Sequence, residues 1–469
     1  MIEVTAYRGR AVMVLGLGRS GLATAAGLRE GGAAVVAWDD DARAREEARK
    51  EGFPLTDPER LDWSHVDALV PSPGIPLTHP KPHPVVRKAR EAGCEILGDI
   101  ELLARTQTEA RYVGITGTNG KSTTTSLIGH LLKAAGHRVE LGGNLGAPAL
   151  KLAPLGADGT YVLELSSFQL DLLRMPFLDV AVLLNITPDH LDRHGDLAGY
   201  IAAKRRIFDC LRQGGTAILG IDDSHTETIR GAIAPRVARL IPISAEKVLD
   251  RGVSAADGQL VERLGTRIPP FNLRRLAVFH GKHNWQNAAA AWAAVRALGV
   301  EPERTAHGLE SFAGLPHRQE LVAVVNGIAY VNDSKATNAT ATAMALAAFD
   351  AVYWIVGGRP KAEGIAPLKP YFSHVRHAFL IGEATERFAE TLSADVPFTR
   401  AGDLHTALEA ARGMAEAAGE KTAVVLLSPA CASYDQWKNF EERGDAFRTL
   451  VLKLPDAQPI VRTGGGNLS

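Results

Sequence analysis

Short apolar runs and amphipathic segments alternate along the chain, and this pattern predicts an α/β protein with mostly parallel sheets. Apolar runs of three to seven residues suit strands that are buried on both faces. Residues 127, 128, 131 and 132 are apolar at helical spacing, as expected for a helix packed on a sheet. A long helix is predicted at residues 284–298. The predicted strands are residues 11–15, 34–38, 68–70, 111–113, 161–165, 180–186, 216–221, 328–332, 352–356, 377–381 and 423–427.

The length of the chain indicates three α/β domains. At roughly 150 residues per domain, 469 residues correspond to about three domains. We place them at residues 1–108, 109–313 and 314–469, where the strand–helix pattern restarts.

The charge balance and the cysteine content exclude several classes of protein. Lys and Arg together number 52 and Asp and Glu 53, so no net charge favours nucleic acid or a membrane surface. The longest early apolar run, residues 11–17, is too short for a signal peptide or a membrane span. Cys94, Cys210 and Cys431 are widely spaced, which fits a reducing compartment without disulfides. We therefore expect a cytoplasmic protein that binds no nucleic acid and does not insert into membranes.

The most specific motif is Gly-Ile-Thr-Gly-Thr-Asn-Gly-Lys-Ser-Thr at residues 114–123, which we call the phosphate loop. It lies between a predicted strand and a predicted helix, where backbone N–H groups can hold phosphates. Lys121 adds a positive charge, and Ser122 or Thr123 adds a hydroxyl for Mg²⁺. The strict P-loop pattern has glycine where this chain has Ile115, so a plain strand–helix turn is the alternative. The motif predicts ATP or GTP binding by a central P-loop-type ATPase domain with a mostly parallel sheet.

A second glycine motif lies in the first domain. Gly-Leu-Gly-Arg-Ser-Gly at residues 16–21 follows the first predicted strand, and three aspartates at 39–41 follow the second. This order matches the dinucleotide-binding fingerprint and predicts a Rossmann-like N-terminal domain. The same alternation predicts a Rossmann-like C-terminal domain. An NAD-dependent oxidoreductase is one interpretation, but it leaves the second and third domains unexplained.

Charged residues near strand ends are candidates for chemistry. Glu164 is well placed to hold Mg²⁺, although an exposed strand-end glutamate is the alternative. Within the polar segment 185–194, His190 is nearer than His194 to the strand end and could bind metal or move protons, unless the segment is a plain surface loop. Lys204 lies on an apolar helical stripe, and from the residues alone we expect it to extend to the surface.

Four later residues have similarly open interpretations. Asn284 either caps a helix or recognises a base or ribose. Arg318 either clamps a phosphate or is a solvated surface arginine, and Asp333 repeats the pattern of a charge at a strand end. We do not expect Cys431 to be a nucleophile, because no base is evident nearby.

Six further segments accompany the phosphate loop. They are Gly-Gly-Asn-Leu-Gly (142–146), Leu-Glu-Leu-Ser-Ser-Phe-Gln (163–169), Asp-His-Leu-Asp-Arg (189–193), His-Asn (283–284), Gly-Leu-Pro-His-Arg (314–318) and Asn-Asp-Ser-Lys-Ala-Thr-Asn (332–338). In this order they resemble the Mur ligase family, ATP-dependent amide-forming enzymes of peptidoglycan precursor synthesis. The family's phosphate loop reads Gly-Thr-Asn-Gly-Lys-Ser/Thr, which residues 117–122 match. Residues 428–444 resemble the D-glutamate-adding branch in particular.

The resemblance implies three domains that bind a UDP-sugar substrate, ATP and an incoming amino acid, respectively. It implies the substrates UDP-N-acetylmuramoyl-L-alanine and D-glutamate, the cofactors ATP and Mg²⁺, an acyl-phosphate intermediate and a monomer. A nucleotide-driven switch that performs no ligation is a further alternative for the phosphate loop.

The resemblance also implies roles for individual residues. The catalytic positions are matched by Lys121, Glu164, His190 and Lys204. The metal-binding positions are matched by Ser122, Thr123, Glu164, His190 and Lys204, the last as a carbamylated lysine. The ATP-binding positions are matched by Gly117, Thr118, Asn119, Gly120, Lys121, Ser122, Thr123, Asn284, Asn287, Arg318, Asp333 and Lys335.

The two remaining substrates have their own sets of matching residues. The UDP-substrate positions are matched by Arg19, Ser20, Asp39, Gly74 and Asn144. The D-glutamate positions are matched by Thr337, Lys361, Ser433 and Phe440. This chain has Asp40-Asp41 where some relatives have Thr-Arg, and Arg359-Pro360 where Asp-Gly is common.

Overall fold

The structure is a computed structural model that describes residues 1–265, 268–420 and 422–459. Among these residues the strands form three sheets in which most neighbours are parallel, so the predicted α/β fold class is confirmed. The described residues divide into two compact units. The first comprises Met1–Leu273 and Trp285–Glu310; the second comprises Arg274–Asn284 and the described residues from Ser311 onward. The domain boundaries at 108/109 and 313/314 stay predictions.

The first described sheet has the strand order β2-β1-β3-β4, and all its strands are parallel. Its strands are β1 (Ala11–Leu15), β2 (Ala34–Trp38), β3 (Ala68–Pro71) and β4 (Glu95–Ile96). The helices of this region are α1 (Arg19–Glu30), α2 (Ala42–Lys50), α3 (Pro84–Glu91) and α4 (Asp99–Thr106).

The second described sheet belongs to the same compact unit and has the order β13-β12-β11-β10-β9-β8-β5-β7-β6. Its strands are β5 (Arg111–Thr116), β6 (Arg138–Gly143), β7 (Gly159–Glu164), β8 (Leu178–Leu183), β9 (Leu211–Gly220), β10 (Arg239–Ser244), β11 (Gly252–Ser254), β12 (Gln259–Arg263) and β13 (Phe271–Asn272). The strands from β6 to β11 are parallel, whereas β12 pairs antiparallel with both of its neighbours.

Helices of varied length connect these strands and follow the last of them. They are α5 (Lys121–Ala134), α6 (Ser167–Leu170), α7 (Leu191–His194), α8 (Leu197–Arg205), α9 (Ser224–Ile233), α10 (Lys282–Ala297) and α11 (Pro302–Glu310). Helix α10 begins two residues before the helix predicted at 284–298, so Asn284 lies inside the helix and does not cap it.

The third described sheet lies in the second unit and has the order β18-β17-β16-β19-β15-β14-β20. Its strands are β14 (Glu320–Val325), β15 (Ile328–Asn332), β16 (Ala351–Gly357), β17 (Val375–Ile381), β18 (Phe398–Gly402), β19 (Ala423–Leu427) and β20 (Gln458–Pro459). The helices are α12 (Ala339–Leu346), α13 (Thr385–Leu392), α14 (Leu404–Ala418) and α15 (Phe440–Leu452). β14 pairs antiparallel with β15 and β20; the other pairs are parallel.

The central strands of the larger sheets are buried along their whole length. Every residue of β7, β16 and β19 is buried, as expected for parallel strands covered by helices on both faces. One apolar core cluster joins residues of the first sheet to residues of the second, including Val12, Leu150 and Tyr161. Because parallel strands end at the same edge of a sheet, the polar residues that follow them lie along one edge.

No helix in the described part of the chain is long and apolar enough to cross a membrane.

Candidate active site

The phosphate loop joins β5 to α5 through two glycines with left-handed backbone angles. Gly117 has φ +150° and Gly120 has φ +85°. A Cβ atom at Gly120 would come within 2.3 Å of Asn287 Oδ1, so residue 120 has no room for a side chain. Because α5 starts at Lys121, its first N–H groups point towards the loop and create a site that favours anions.

Lys121 folds back over the phosphate loop. Its Nζ donates to Gly117 O at 2.9 Å and to Thr118 O at 2.7 Å. The neighbouring Ser122 is buried and Thr123 is half-buried at the start of α5. The loop thus carries a cation and two hydroxyl residues, the chemistry that phosphate and Mg²⁺ binding requires.

Asn185, two residues after the end of β8, fixes the loop from the neighbouring strand. Its carbonyl accepts from Thr118 N–H at 2.9 Å, and its Oδ1 accepts from Asn119 N–H at 2.9 Å. Its Nδ2 donates to Gln286 Oε1 at 2.9 Å. The sequence reasoning did not place Asn185 in the site, although a polar amide directly after the apolar run at residues 180–184 was a usable signal.

Lys204 is buried beneath the loop, so the expectation that it extends to the surface is wrong. The residue is 2% exposed, and its Nζ donates to Gly117 O at 2.8 Å and lies 4.8 Å from the centre of the Tyr200 ring. Burial, followed by the charge of Lys121, holds the pKa of Lys204 well below its ordinary value. The amine therefore has an increased neutral fraction, which is the nucleophilic form of a lysine.

Glu164, the last residue of β7, is 2% exposed, so the alternative of an exposed strand-end glutamate is wrong. Its Oε1 accepts from Asn144 Nδ2 at 2.8 Å. Its Oε2 is buried and has no hydrogen-bond partner among the described residues. A buried carboxylate oxygen without a partner is costly, and a cation would offset that cost.

His190 precedes the short helix α7, and His194 is its last residue. His190 is more exposed, has φ +51°, and its Nε2 is 3.5 Å from Asp189 Oδ2. His194 is buried, and its Nε2 shares a hydrogen bond of 2.9 Å with Ser167 Oγ. Burial lowers the pKa of His194 to about 4, so its imidazole is neutral at pH 7.

The chemistry of the predicted donor groups fits Mg²⁺. Among the described residues, no group of three or more His, Cys, Asp or Glu side chains is arranged for metal binding. The predicted ligands include hydroxyl groups and a modified lysine, which lie outside that set. The partnerless Oε2 of Glu164 and the hydroxyls of Ser122 and Thr123 are the hard oxygen ligands that Mg²⁺ prefers.

The glycine loop of the first sheet is held by Asp39. Its Oδ2 accepts from Leu17 N–H at 2.6 Å and its Oδ1 from Asp41 N–H at 2.8 Å. Asp41 in turn caps α2, and Asp40 pairs with His83 at 2.9 Å. All three carboxylates therefore have hydrogen-bond partners close to the first sheet.

Two arginines connect the loops of the first sheet to those of the second. Arg19, beside the half-buried Ser20 in α1, donates to Gly146 O at 3.0 Å. Arg193 donates to Gly74 O at 2.5 Å. The structure thus places Arg19 against the loop that carries Asn144 and Gly74 against the end of α7.

In the second unit, Asp333 is buried at the end of β15. Its Oδ2 accepts from Ser428 Oγ at 2.8 Å and its Oδ1 from Gln319 N–H at 3.1 Å. Burial raises the pKa of Asp333 to about 7, and the hydrogen bonds from Ser428 and Gln319 oppose that shift only in part. Sequence reasoning missed Ser428 as a site residue, and hydroxyls after a strand were the available signal.

Other candidate ligand-binding residues lie in the turns that follow Asp333 and in the segments packed against them. Lys335 donates its N–H to His317 O at 3.0 Å, next to Arg318, and its Nζ lies 5.4 Å from the centre of the Phe440 ring. Thr337 donates its N–H to Lys335 O at 2.9 Å.

Arg443 connects these turns to the turn that carries Ser433. The guanidinium is fully buried and donates to Ser334 Oγ at 2.9 Å, Ser334 O at 2.8 Å and Cys431 O at 3.1 Å. Sequence reasoning missed Arg443, because its acceptors, the Ser334 hydroxyl and two backbone carbonyls, lie on other segments of the chain. Cys431 is fully buried, and burial raises the pKa of its thiol to about 12, which agrees with the expectation that it is not a nucleophile.

Lys361 and Ser433 lie on two loops that pair through their backbones. Arg359 N–H donates to Ala432 O at 2.9 Å, and Ala432 N–H donates to Arg359 O at 3.1 Å. Ser433 is buried one residue after this bridge, and Lys361 is exposed two residues after it.

The two asparagines near the start of α10 have different surroundings. Asn284 donates its side-chain N–H to His280 O at 2.8 Å and lines a cavity of about 310 Å³ with Gln319 and Phe349 in the second unit. Asn287 accepts from Thr124 Oγ1 at 3.1 Å in the first unit.

Fold and site together define an α/β nucleotide-binding protein with a phosphate loop on a mostly parallel sheet. Comparison with known families narrows this class. The chain matches the Mur ligase middle domain over residues 115–295 and the Mur ligase, glutamate ligase domain over residues 317–431. The chain belongs to the Mur ligase family, and the resemblance found in the sequence is thereby confirmed.

Curated relatives match almost the whole chain. One from Paramagnetospirillum magneticum, named UDP-N-acetylmuramoylalanine–D-glutamate ligase, is 52% identical over 96% of this chain and 98% of its own length. Another of the same name, from Phenylobacterium zucineum, is 50% identical over 98% of this chain and 99% of its own length.

A solved structure, UDP-N-acetylmuramate-alanine ligase from Thermotoga maritima, is similar with a TM-score of 0.55. It is 17% identical and covers 93% of this chain and 98% of its own, so it supports the fold alone. The ligand contacts of individual residues are not tested by these comparisons and stay predictions.

Proposed function

We propose that the protein is an ATP-dependent ligase that joins D-glutamate to UDP-N-acetylmuramoyl-L-alanine in peptidoglycan precursor synthesis. The observation that carries this proposal is the identity of about half of all residues, over nearly the full length, to relatives named for this reaction. The phosphate loop, with Lys121 folded over it, supplies a place for ATP.

Amide formation in water requires that the carboxylate is activated first. The L-alanyl carboxylate of the UDP substrate attacks the γ-phosphorus of ATP, ADP leaves, and an acyl phosphate forms. The amine of D-glutamate then attacks the acyl carbon, loses a proton, and inorganic phosphate leaves from the tetrahedral intermediate. The protein contributes alignment of the reactants and stabilisation of charge.

Lys121 and the N-terminus of α5 hold the triphosphate. Both anionic reactants must come close together, so positive charge at the loop lowers their repulsion. Lys121 Nζ now bonds two loop carbonyls and can exchange these for phosphate oxygens. We assign further ATP contacts to Gly117, Thr118, Asn119, Gly120, Asn284, Asn287, Arg318, Asp333 and Lys335.

Mg²⁺ would be held by Ser122 or Thr123 with Glu164, and a second ion by His190 with carbamylated Lys204. Bound there, the ions neutralise charge on the phosphates. The partnerless Oε2 of Glu164 supports the first assignment. The lowered pKa of Lys204 supports the second, because only a neutral amine adds carbon dioxide to form a carbamate and release a proton.

The remaining substrates occupy the loops described above. We assign the UDP substrate to Arg19, Ser20, Asp39, Gly74 and Asn144. We assign D-glutamate to Thr337, Lys361, Ser433 and Phe440. The backbone bridge between Arg359 and Ala432 supports a shared role for Lys361 and Ser433. We place the protein in the cytoplasm as a monomer.

One assay tests the proposal and its alternatives. The full-length protein is incubated with ATP, Mg²⁺, UDP-N-acetylmuramoyl-L-alanine and D-glutamate. We expect equal amounts of ADP, phosphate and the new amide, and loss of all three in Lys121→Ala with an unchanged fold. Hydrolysis of ATP without amide formation would instead support a nucleotide-driven switch, and nicotinamide binding without ligation would support an oxidoreductase.

The amino acid is tested by substitution. Replacing D-glutamate with L-alanine or a diamino acid should abolish the amide product. Equal turnover with L-alanine would overturn the assignment to the D-glutamate-adding branch.

A further inference from the structure

His194 is a buried histidine that the proposed reaction does not use. Its side chain is 5% exposed, and its Nε2 shares a hydrogen bond of 2.9 Å with Ser167 Oγ at the start of α6. Its Nδ1 is 3.9 Å from Asp171 Oδ2, just after that helix. His194 therefore joins the end of α7 to both ends of α6.

The ring of His194 packs against two aromatic side chains. It stacks on Phe168, with ring centres 5.5 Å apart and an angle of 20° between the planes. It is also tilted against Tyr200, again with ring centres 5.5 Å apart. Stacked and tilted arrangements at these distances are favourable for aromatic rings.

Both aromatic partners touch candidate catalytic groups. The ring of Phe168 lies 5.1 Å from that of His190. The ring of Tyr200 lies 4.8 Å from Lys204 Nζ, and its hydroxyl is 3.2 Å from Thr118 Oγ1 in the phosphate loop. The His190 ring also lies 6.5 Å from the Tyr200 ring. His194 thus contacts both aromatic rings that pack against His190, one of which also lies beside Lys204.

A nucleophilic role for this group does not fit. Ser167, His194 and Asp171 follow the order of a nucleophile, a base and an orienting acid. Ser167 is 2% exposed, however, and 3.9 Å between Nδ1 and Oδ2 is too long for a hydrogen bond. The arrangement therefore serves to hold positions.

We propose that His194 is a positioning residue: its ring packs on both Phe168 and Tyr200 and fixes their orientation, so that His190 and Lys204 stay in place beside the phosphate loop. This inference rests on the proposed function, in which His190 and Lys204 hold a divalent cation. Side chains that orient metal ligands typically change metal affinity or activity by about 10- to 100-fold when they are replaced.

The test compares variants that keep or remove the ring. His194→Phe keeps a ring, whereas His194→Gln and His194→Leu remove it; the two non-aromatic variants guard against failure of either one to fold. His130→Gln is the matched control, because His130 is also a partly buried histidine whose ring nitrogen is hydrogen-bonded, at 3.1 Å to Gly308 O, and it lies on α5.

Two readouts apply to the folded full-length proteins. Binding of Mn²⁺ in the presence of ADP is followed by electron paramagnetic resonance, and the carbamate of Lys204 is followed by ¹³C NMR after addition of ¹³C-bicarbonate. We expect the non-aromatic variants to bind Mn²⁺ about tenfold more weakly and to lose most of the carbamate signal. His194→Phe should stay within about threefold of the native protein, and His130→Gln should change neither readout.

Native Mn²⁺ affinity and a native carbamate signal in a folded non-aromatic variant would overturn the inference. Equal losses in His194→Phe and His194→Gln would overturn it as well, because the ring would then not be the cause. Failure of the proposed function is a separate result, since it would appear as absence of ligation by the native protein.

Discussion

The buried carboxyl of Asp333 should make the stability of the second unit depend on pH. Burial raises the pKa of Asp333 from an ordinary value of 3.8 to about 7. The folded protein therefore keeps this proton at pH values where the unfolded chain has lost it. The contribution of Asp333 to the free energy of unfolding is fully present below about pH 4 and is lost as the pH rises towards 7.

The magnitude follows from the shift. Between pH 5 and 7 the unfolded carboxyl is ionised while the folded one is protonated, and each pH unit costs about 1.4 kcal/mol. The folded protein should thus lose on the order of 3 kcal/mol between pH 5 and pH 8, with no further loss once Asp333 ionises in the folded state. Asp333→Asn cannot ionise, so it should lack this contribution.

The assay must report on the second unit alone. Urea unfolding is followed by pulsed hydrogen exchange and mass spectrometry. The peptides analysed cover β15 and β19 together with Asp333 and Ser428, which directly follow these strands. The difference in free energy of unfolding between native protein and Asp333→Asn is measured at pH 5 and pH 8. Glu390→Gln, at an exposed position of the same unit, is the control and should give a difference that is flat within about 0.5 kcal/mol.

The result that would refute this reasoning is a difference that stays constant between the two pH values. A native protein that gains stability relative to Asp333→Asn as the pH rises would also refute it, since that sign belongs to a carboxyl with a lowered pKa.

Three further predictions concern the phosphate loop and its neighbours. Gly120→Ala places a side chain at φ +85° and 2.3 Å from Asn287 Oδ1. Backbone strain alone should lower the free energy of unfolding by roughly 1–2 kcal/mol or more. Thermal unfolding measures this loss, and an unchanged midpoint would contradict it. Glu164→Gln keeps the shape but removes the charge, so the Mg²⁺ concentration for half-maximal ligation should rise at least tenfold. Lys204→Ala should be inactive and partly restored by small carboxylic acids, and absence of any rescue would remove support for a carbamylated lysine.

The strands that the sequence predicts best are apolar runs closed by glycine or aspartate. Strands β1 and β2 have the predicted ends because Gly16 follows the first and Asp39 follows the second. Strand β6 is missed because Glu140 interrupts its few apolar residues, and β10 is missed because its apolar run contains Pro242, a residue that is rare inside strands. The start of β9 lies five residues before the predicted one, since its first residues are polar and half-exposed.

In the candidate site too, local motifs are predictable from the sequence and contacts between distant segments are not. The position of Lys121 follows from its motif, because strand, glycines and helix are adjacent in the chain. The burial of Lys204 could not be predicted, since its acceptor Gly117 is 87 residues away and helical periodicity alone does not reveal a polar partner. The roles of Arg443 and Ser428 depend likewise on contacts between turns that only the folded chain creates.

The shared core of the first two sheets has a practical consequence for work with fragments. Ile2 N–H donates to Leu150 O at 2.8 Å, and Leu150 lies in the same apolar cluster as Val12 and Leu28. A fragment that ends at residue 108 would leave that side of the first sheet in water, and apolar surface of this kind drives aggregation. Screening for ligands of the Gly16 loop should therefore use protein that extends at least through the second sheet.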